Sequence, residues 1–218
     1  VVKINTMAFD NCSNVTEVIV PNSITYIGMS AFVGCGSLTK ITIPFIGQSI
    51  DEETYIYFGH LFTGNGDHIQ SNYLIPATLK TVIVNGGKIK ASVFGNIETI
   101  EEVIINSEIS SIGDNAFANL AISEVELPSK LVRIGSKAFE NCTNLTGNVE
   151  IPASVEHMVQ NPFVNSPITS FTVAADNEHY KVENDAILTK NGTEVKAYPI
   201  GKTDSVSYEI QENVITVK

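Results

Sequence analysis

Residues 9–21 read FDNCSNVTEVIVP, residues 32–44 read FVGCGSLTKITIP and residues 139–152 read FENCTNLTGNVEIP. The segments share a phenylalanine, a cysteine three positions later, a Thr that follows Val or Leu, and an alternating apolar stretch that ends in proline. Alanine precedes the phenylalanine, after a stretch such as KLVRIGSKAF at residues 130–139. The chain is therefore built from a repeat, AF-x-x-C-x-x-L-T-x-V-x-I-P-x-x-(I/V)-x-x-I-G-x-x.

The spacing of the Ala-Phe pairs sets the repeat length. Neighbouring pairs lie about 22 to 24 residues apart where no insertion intervenes, within the period of leucine-rich repeats. The pairs are Ala8-Phe9, Ala31-Phe32, Ala116-Phe117 and Ala138-Phe139, with Val93-Phe94 and Pro162-Phe163 as variants. These motifs resemble the BspA-like bacterial surface family of leucine-rich repeats over nearly the whole chain. The resemblance implies a right-handed α/β solenoid, rich in strand, with short helical or 3-10 turns and a parallel sheet on the concave face.

The alternating stretch of each repeat predicts a strand with one buried side. Side chains two apart on a strand face the same way, so Val18 with Val20 and Ile41 with Ile43 are expected to face the core. The composition agrees, because the chain has 27 Ile and 22 Val against 9 Leu, and β-branched residues favour strands. About seven stacked turns would give a column roughly 30 Å long.

We expect a single leucine-rich repeat domain over residues 1–218, with two interruptions. The first is an insertion at about 45–78, in which Leu61-Phe62 resembles a degenerate Ala-Phe pair and residues 64–67 form a turn. The second is a hairpin insertion at about 174–204, where Asn191-Gly192 predicts a type I′ turn. Because residues 1–5 and 214–218 lie at the same phase of the repeat, we also expect a fragment of a longer array.

The outward positions of the strands form the predicted binding face, since solenoids usually bind partners through their strand surface. Five glutamates and one lysine, Lys40, make this face acidic. Exposed isoleucines interrupt the charge, and Ile83 and Ile104 are expected to be neighbours. A partner site and an ordinary strand face with β-branched filler both fit this pattern. The candidate residues are Glu17, Ile19, Ile83, Glu102, Ile104, Glu124, Glu126 and Glu150.

The three cysteines, Cys12, Cys35 and Cys142, occupy a repeat position that is filled elsewhere by Ile97 and Leu120. They are expected to be buried structural thiols. A Cys12–Cys35 disulfide between stacked turns is the alternative.

Charge and motifs exclude several classes of protein. The formal charge of −11 disfavours nucleic-acid binding, and no apolar run is long enough to span a bilayer as a helix. The sequence lacks a phosphate loop, a G-x-S-x-G elbow and an H-E-x-x-H motif, and its four histidines have no metal-ligand spacing. We therefore expect no cofactor, no metal and no catalytic residue.

The expected function is non-enzymatic protein binding through the strand face and the two insertions. The resemblance implies a secreted or cell-surface protein that takes part in adhesion to host matrix or cell-surface proteins. A scaffold or stalk that displays another module is one alternative. A carbohydrate-active enzyme using the carboxylates of Glu124, Glu126 and Glu150 is another, although an open face would leave those groups hydrated.

Overall fold

The computed structural model describes residues 1–50, 57–63, 74–203, 214, 216 and 217. The repeats form stacked turns, each of which contributes short parallel strands. The strands in this part of the chain are β1 Lys3–Ile4, β2 Glu17–Ile19, β3 Tyr26–Ile27, β4 Lys40–Ile43, β5 Thr81–Val84, β6 Glu102–Ile105, β7 Ser111–Ile112, β8 Arg133–Ile134, β9 Asn148–Ile151, β10 His157–Met158, β11 Ser170–Val173, β12 Tyr180–Glu183, β13 Ala186–Thr189, β14 Glu194–Ala197 and β15 Thr216–Val217.

The predicted parallel ladder exists in two sections. Strands β2, β4, β5 and β6 form a four-stranded sheet in that order, and β9 pairs with β11 in a separate two-stranded sheet. Buried and outward residues alternate along β6 and β9, as the sequence predicted.

The ladder is interrupted at residues 124–127, which the sequence predicted to be a strand. Leu127 is buried, but these residues join none of the sheets in the described part of the chain. The distance from phenylalanine to the first inward strand residue is eight positions here, from Phe117 to Val125, against nine in the preceding unit and ten in the following one. The break in the ladder therefore coincides with a spacing that differs from those of both neighbouring units.

A second row of parallel strands was not anticipated. It is formed by the segments at the I-G position of successive turns, in which β1 pairs with β3 and β8 lies between β7 and β10. Each of these strands has only two residues, and Ile89 joins Ile112 through a single bridge. Two rows of paired strands therefore help to hold the turns together.

The Ala-Phe segments form hydrogen-bonded turns and not the expected helical ones. Residues with positive φ shape them, such as Asn115 (φ 53°) and Asn119 (φ 64°) in one unit. Asparagine tolerates this left-handed conformation better than most residues. A 3-10 helix lies at Phe58–Leu61, inside the first insertion, and Leu74 of the same insertion is also in 3-10 conformation.

The described part of the first insertion stacks on the neighbouring turn of the solenoid. The backbone N–H of Phe32 donates to the carbonyl of Leu61 (2.9 Å), as Phe9 donates to Ala31 (2.8 Å). Leu61 therefore occupies the place of the repeat alanine. The turn that the sequence predicted at residues 64–67 lies outside the described residues.

A column of phenylalanine rings runs through the core. Phe94, Phe117, Phe139 and Phe163 stack with centroid separations of 5.4, 5.1 and 5.4 Å and nearly parallel planes. The first insertion extends the column through Phe58, 5.0 Å from Phe94. Each stacked pair adds about 0.5–1.5 kcal/mol beyond the burial of its apolar area.

The hairpin insertion is an antiparallel sheet in which β13 lies between β12 and β14. The type I′ turn expected at Asn191-Gly192 is wrong, because only Gly192 of that pair has positive φ. A two-residue turn of that kind joins β12 to β13 at Asn184 (φ 48°) and Asp185 (φ 68°). At the far edge, β15 pairs in parallel with β14 and so adds to the hairpin sheet.

Candidate binding face

The four-stranded sheet aligns its outward side chains in two rows. Register pairs Ile19 with Thr42, Thr42 with Ile83, and Ile83 with Ile104, which places one residue from each strand in the first row. The expected neighbours Ile83 and Ile104 are thus direct register partners. The second row contains Glu17, Lys40, Thr81 and Glu102 in the same order. Stacked repeats therefore set an apolar row beside a polar one.

Exposure is greatest at the two ends of the apolar row. Ile19 is 68% exposed and Ile104 is 44% exposed, whereas Ile83 is half-buried and Thr42 is buried. On the opposite side of the same strands, Ile41 and Val82 are fully buried. One side of the sheet is thus core, and the other exposes branched apolar side chains to solvent.

The polar row is more nearly neutral than the sequence suggested. The ammonium group of Lys40 lies 3.3 Å from a carboxylate oxygen of Glu17, and both groups are substantially exposed. The hydroxyl of Thr81 donates to a carboxylate oxygen of Glu102 at 2.9 Å. This sheet therefore carries two of the five glutamates together with the lysine. Such exposed pairs contribute about 0–1 kcal/mol and are screened by salt.

The remaining three candidate glutamates do not join this sheet. Glu124 and Glu126 lie in the interruption of the ladder, and Glu150 belongs to β9. All three are exposed. A cluster of the three carboxylates would require Glu124 and Glu126 to lie on a strand that pairs with the strand of Glu150. Glu124 and Glu126 lie outside the strands of the described residues, so this requirement is not met. The expected eight-residue face is accordingly divided, with Glu17, Ile19, Ile83, Glu102 and Ile104 together on one sheet.

The cysteines are free thiols, so the alternative of a Cys12–Cys35 disulfide is wrong. Burial raises the pKa of Cys142 to about 12 and, followed by the nearby Cys12, also raises the pKa of Cys35. Thiols held in the protonated form are poor nucleophiles. Cys35 and Cys142 are therefore structural residues.

The cysteine position also makes a hydrogen bond that the sequence did not reveal. The thiols of Cys35 and Cys142 donate to the carbonyl oxygens of Phe9 and Phe117, each in the preceding turn, at 3.4 and 3.2 Å. Ser166 at the same repeat position donates to the carbonyl of Phe139 at 2.5 Å. Ser166 was the indication of this bond in the sequence, because a serine can be buried at the cysteine position only if its hydroxyl group has a hydrogen-bond partner.

A ladder of asparagines runs along the Ala-Phe turns and was also missed. The side-chain amides of Asn119, Asn141 and Asn165 each donate to the side-chain oxygen of the asparagine one turn earlier, at 2.7, 3.0 and 3.0 Å. The first acceptor is Asn96. All four residues have positive φ. Recurrence of asparagine just before the cysteine position was the signal for this ladder.

No group of three or more His, Cys, Asp or Glu side chains in the part of the chain that the structure describes is arranged to hold a metal ion. Within the same ranges, no helix has the length and apolar character needed to cross a membrane.

Comparison with known proteins adds a family match. The model of the BspA-type leucine-rich repeat region matches residues 1–63 and 68–191 in six copies. No curated protein matches the chain significantly.

Solved structures show the same fold. A leucine-rich repeat protein from Eubacterium ventriosum is similar with a TM-score of 0.57 and 21% identity, over 97% of this chain and 45% of that one. One from Bacteroides ovatus has a TM-score of 0.51 and 23% identity, over 76% and 38%. The chain thus spans less than half the length of either protein.

Proposed function

This chain belongs to the BspA-type leucine-rich repeat family, and on that basis we propose that it is a non-enzymatic binding module whose partner is a protein. Repeat solenoids of this kind provide an extended surface for protein partners or act as repeat scaffolds. The proposed contact surface is the outward side of strands β2, β4, β5 and β6, which we call the isoleucine face. Its central residues are Ile19, Ile83 and Ile104.

The observation that carries the proposal is the row of isoleucines in register across this sheet. Two exposed isoleucines at the ends of one row, with a half-buried one between them, form an apolar strip on a sheet that is already stabilised by a buried core on its other side. Removing this strip from water would add to binding at about 25 cal/mol per Å². The pair of Glu17 and Lys40 and the exposed Glu102 would lie at its polar margin, as at many protein interfaces.

We further propose that the protein acts outside the cell or at its surface, in adhesion to host matrix or cell-surface proteins. The support is the resemblance to the BspA-like surface family, and fold alone does not specify a partner. A scaffold role would leave the isoleucine face without an energetic contribution to any binding.

The proposal can be tested by surface plasmon resonance against an immobilised panel of host matrix proteins. We expect at least one specific interaction, weakened about tenfold or more by Ile104→Ser, since loss of a buried isoleucine costs at least about 1.5 kcal/mol. Ile200→Ser is the matched control, because Ile200 is also exposed but lies outside the sheet. Equal effects of the two substitutions, or no binding to any protein on the panel, would contradict the proposal.

A further inference from the structure

The turn at residues 117–125 is shorter than the two turns beside it. From its phenylalanine to its first inward strand residue it has eight positions, against nine in the preceding turn and ten in the following one. The backbone N–H of Ala121 donates to the carbonyl of Ile100 in the preceding turn at 3.1 Å. The side-chain amide of Asn144 in the following turn donates to the carbonyl of Ala121 at 3.1 Å. The methyl side chain of Ala121 therefore lies between two longer turns.

A cleft of about 400 Å³ lies at this short turn, within the range of volumes that ligand sites have. Exposed Glu98 of the preceding turn and exposed Thr143 of the following turn line it. Its apolar floor consists of Leu120, which is buried, and Ala121, which is half-buried. Glu98, Ala121 and Thr143 each follow the asparagine of their own turn by two positions. The cleft thus lies where alanine replaces the longer side chains of the neighbouring turns.

Hydrogen-bonding groups surround the apolar floor of the cleft. The amides of Asn119 and Asn141, which also line it, belong to the asparagine ladder. In the ladder each of the two donates one N–H to the turn before and accepts one bond from the turn after. A primary amide has two N–H groups and two acceptor lone pairs, so each retains one donor and one acceptor. The hydroxyl of Thr143 can also donate and accept, and the carboxylate of Glu98 adds further acceptors.

The charge and the donors of the cleft limit the class of ligand. Glu98 is the one charged group among the described lining residues, and the formal charge of the chain is −11, so an anionic ligand would be repelled. An ion such as Ca²⁺ takes about six to eight oxygen ligands, which one carboxylate does not approach. An organic ammonium group has no acceptor for the amide N–H groups of Asn119 and Asn141. A neutral ligand rich in hydroxyl groups fits these constraints.

We propose that this cleft binds a neutral saccharide, whose hydroxyl groups bond to the polar lining residues and whose C–H face packs against the floor at Ala121. A hydroxyl group both donates and accepts, so two neighbouring sugar hydroxyls match the donor and the acceptor that one ladder amide retains. This inference goes beyond protein binding. None of the described lining residues belongs to the isoleucine face, so either site can fail its test without affecting the other.

The test is saturation-transfer difference NMR of the whole protein with a panel of neutral disaccharides, namely cellobiose, lactose, maltose and chitobiose. Digalacturonate, in which both sugars carry a carboxylate, is the charged counterpart. We expect at least one neutral disaccharide to bind saturably with a Kd of about 1 mM or lower. Digalacturonate is expected to bind at least about tenfold more weakly, because Glu98 and the net charge of the protein repel it.

Two variants locate the binding. Ala121→Arg places a long side chain in the cleft. Glu98→Ala removes a carboxylate from an exposed position, so it remains decisive if the arginine variant fails to fold. Each is expected to weaken binding of the disaccharide about fivefold or more. Ala175→Arg and Glu178→Ala are the matched controls, because they make the same changes at exposed positions outside the cleft, and each should change affinity less than about twofold.

Several results would overturn the proposal. They are the absence of saturable binding by every neutral disaccharide at about 10 mM, where even a weak site should respond, and an affinity for digalacturonate that equals or exceeds that for the neutral sugars. A Glu98→Ala protein, or a folded Ala121→Arg protein, that binds like its matched control would also overturn it, because the sugar would then bind elsewhere.

Discussion

The hydroxyl group of Ser166 donates a 2.5 Å hydrogen bond to the carbonyl oxygen of Phe139, one turn earlier in the solenoid. The same hydroxyl accepts the backbone N–H of Cys142 at 3.0 Å. Both backbone groups lie in the interior, where an unpaired polar group is costly. A position that Ile97 and Leu120 fill in other repeats therefore acts here as a polar link between turns.

Replacing Ser166 with alanine is expected to lower the free energy of unfolding by about 1–3 kcal/mol, because it leaves two backbone groups without this partner. Ser166→Cys should cost less, since Cys35 and Cys142 make the equivalent bond. Urea denaturation measures both values, with Ser129→Ala as the exposed control. A cysteine variant no more stable than the alanine variant would argue against the hydrogen bond.

We expect a substitution in the interior of the phenylalanine column to cost more stability than a substitution at its end. Phe117 is fully buried between two rings, and Phe117→Ala should cost about 3–5 kcal/mol. Ring contacts continue from Phe58 through Phe62 and Phe32 to Phe9, which is the end of the series. Phe9 is 39% exposed, with one ring neighbour at 5.3 Å, and Phe9→Ala should cost less than about half as much. This difference is measured from the denaturant midpoints of the two variants, provided that their m-values are equal. Equal losses would contradict the column.

Asn177 is expected to be among the most sensitive polar residues. Asn177→Ala removes four hydrogen bonds to backbone groups, in a largely buried setting, and should destabilise the protein by about 3 kcal/mol or more. Amide exchange should report faster opening of β12 and β13 than of β5 in this variant. Asn14→Ala, at an exposed position, is the control. Uniform loss of protection in all strands would show that Asn177 does not act on the hairpin specifically.

Because the imidazole of His60 is buried, we expect the stability of the protein to depend on pH. Burial lowers the pKa of this imidazole, its Nε2 is buried with no hydrogen-bond partner among the described residues, and its Nδ1 lies 3.1 Å from the carbonyl of Tyr57. The unfolded chain therefore takes up the proton first as pH falls. Stability is fully present above the unfolded pKa of about 6.5 and is lost as pH falls from there through the lower folded-state pKa.

The check is the difference in melting temperature between the wild type and His60→Gln, followed from pH 7.5 to pH 4.5. We expect the wild type to lose more stability over this range. His157→Gln, at an exposed histidine, should follow the wild type. Parallel profiles for wild type and His60→Gln would exclude the predicted contribution.

Periodic features were predicted well from the sequence. The solenoid, the inward positions such as Ile41, and the adjacency of Ile83 and Ile104 depend on spacing within and between repeats, and spacing is visible in a sequence. The isoleucine face required no knowledge of side-chain conformation beyond the alternation of a strand.

Features that depend on hydrogen bonds between turns were not predicted. The two-residue strands of the second row, such as β7, are too short to leave a periodic pattern. The interruption at residues 124–127 depends on how one unit fits its neighbours. The type I′ turn lies at Asn184-Asp185 and not at Asn191-Gly192, because strand pairing in the hairpin fixed which residues took positive φ.

Binding of a protein partner to the isoleucine face is tested most directly by amide hydrogen exchange of the protein alone and in complex with a partner found in the panel screen. We predict additional slowing of exchange in β2, β4, β5 and β6, strongest at the exposed edge strand β2, with little change in β9. Slowing confined to β9, β11 or the hairpin, with none in β2 or β6, would contradict it.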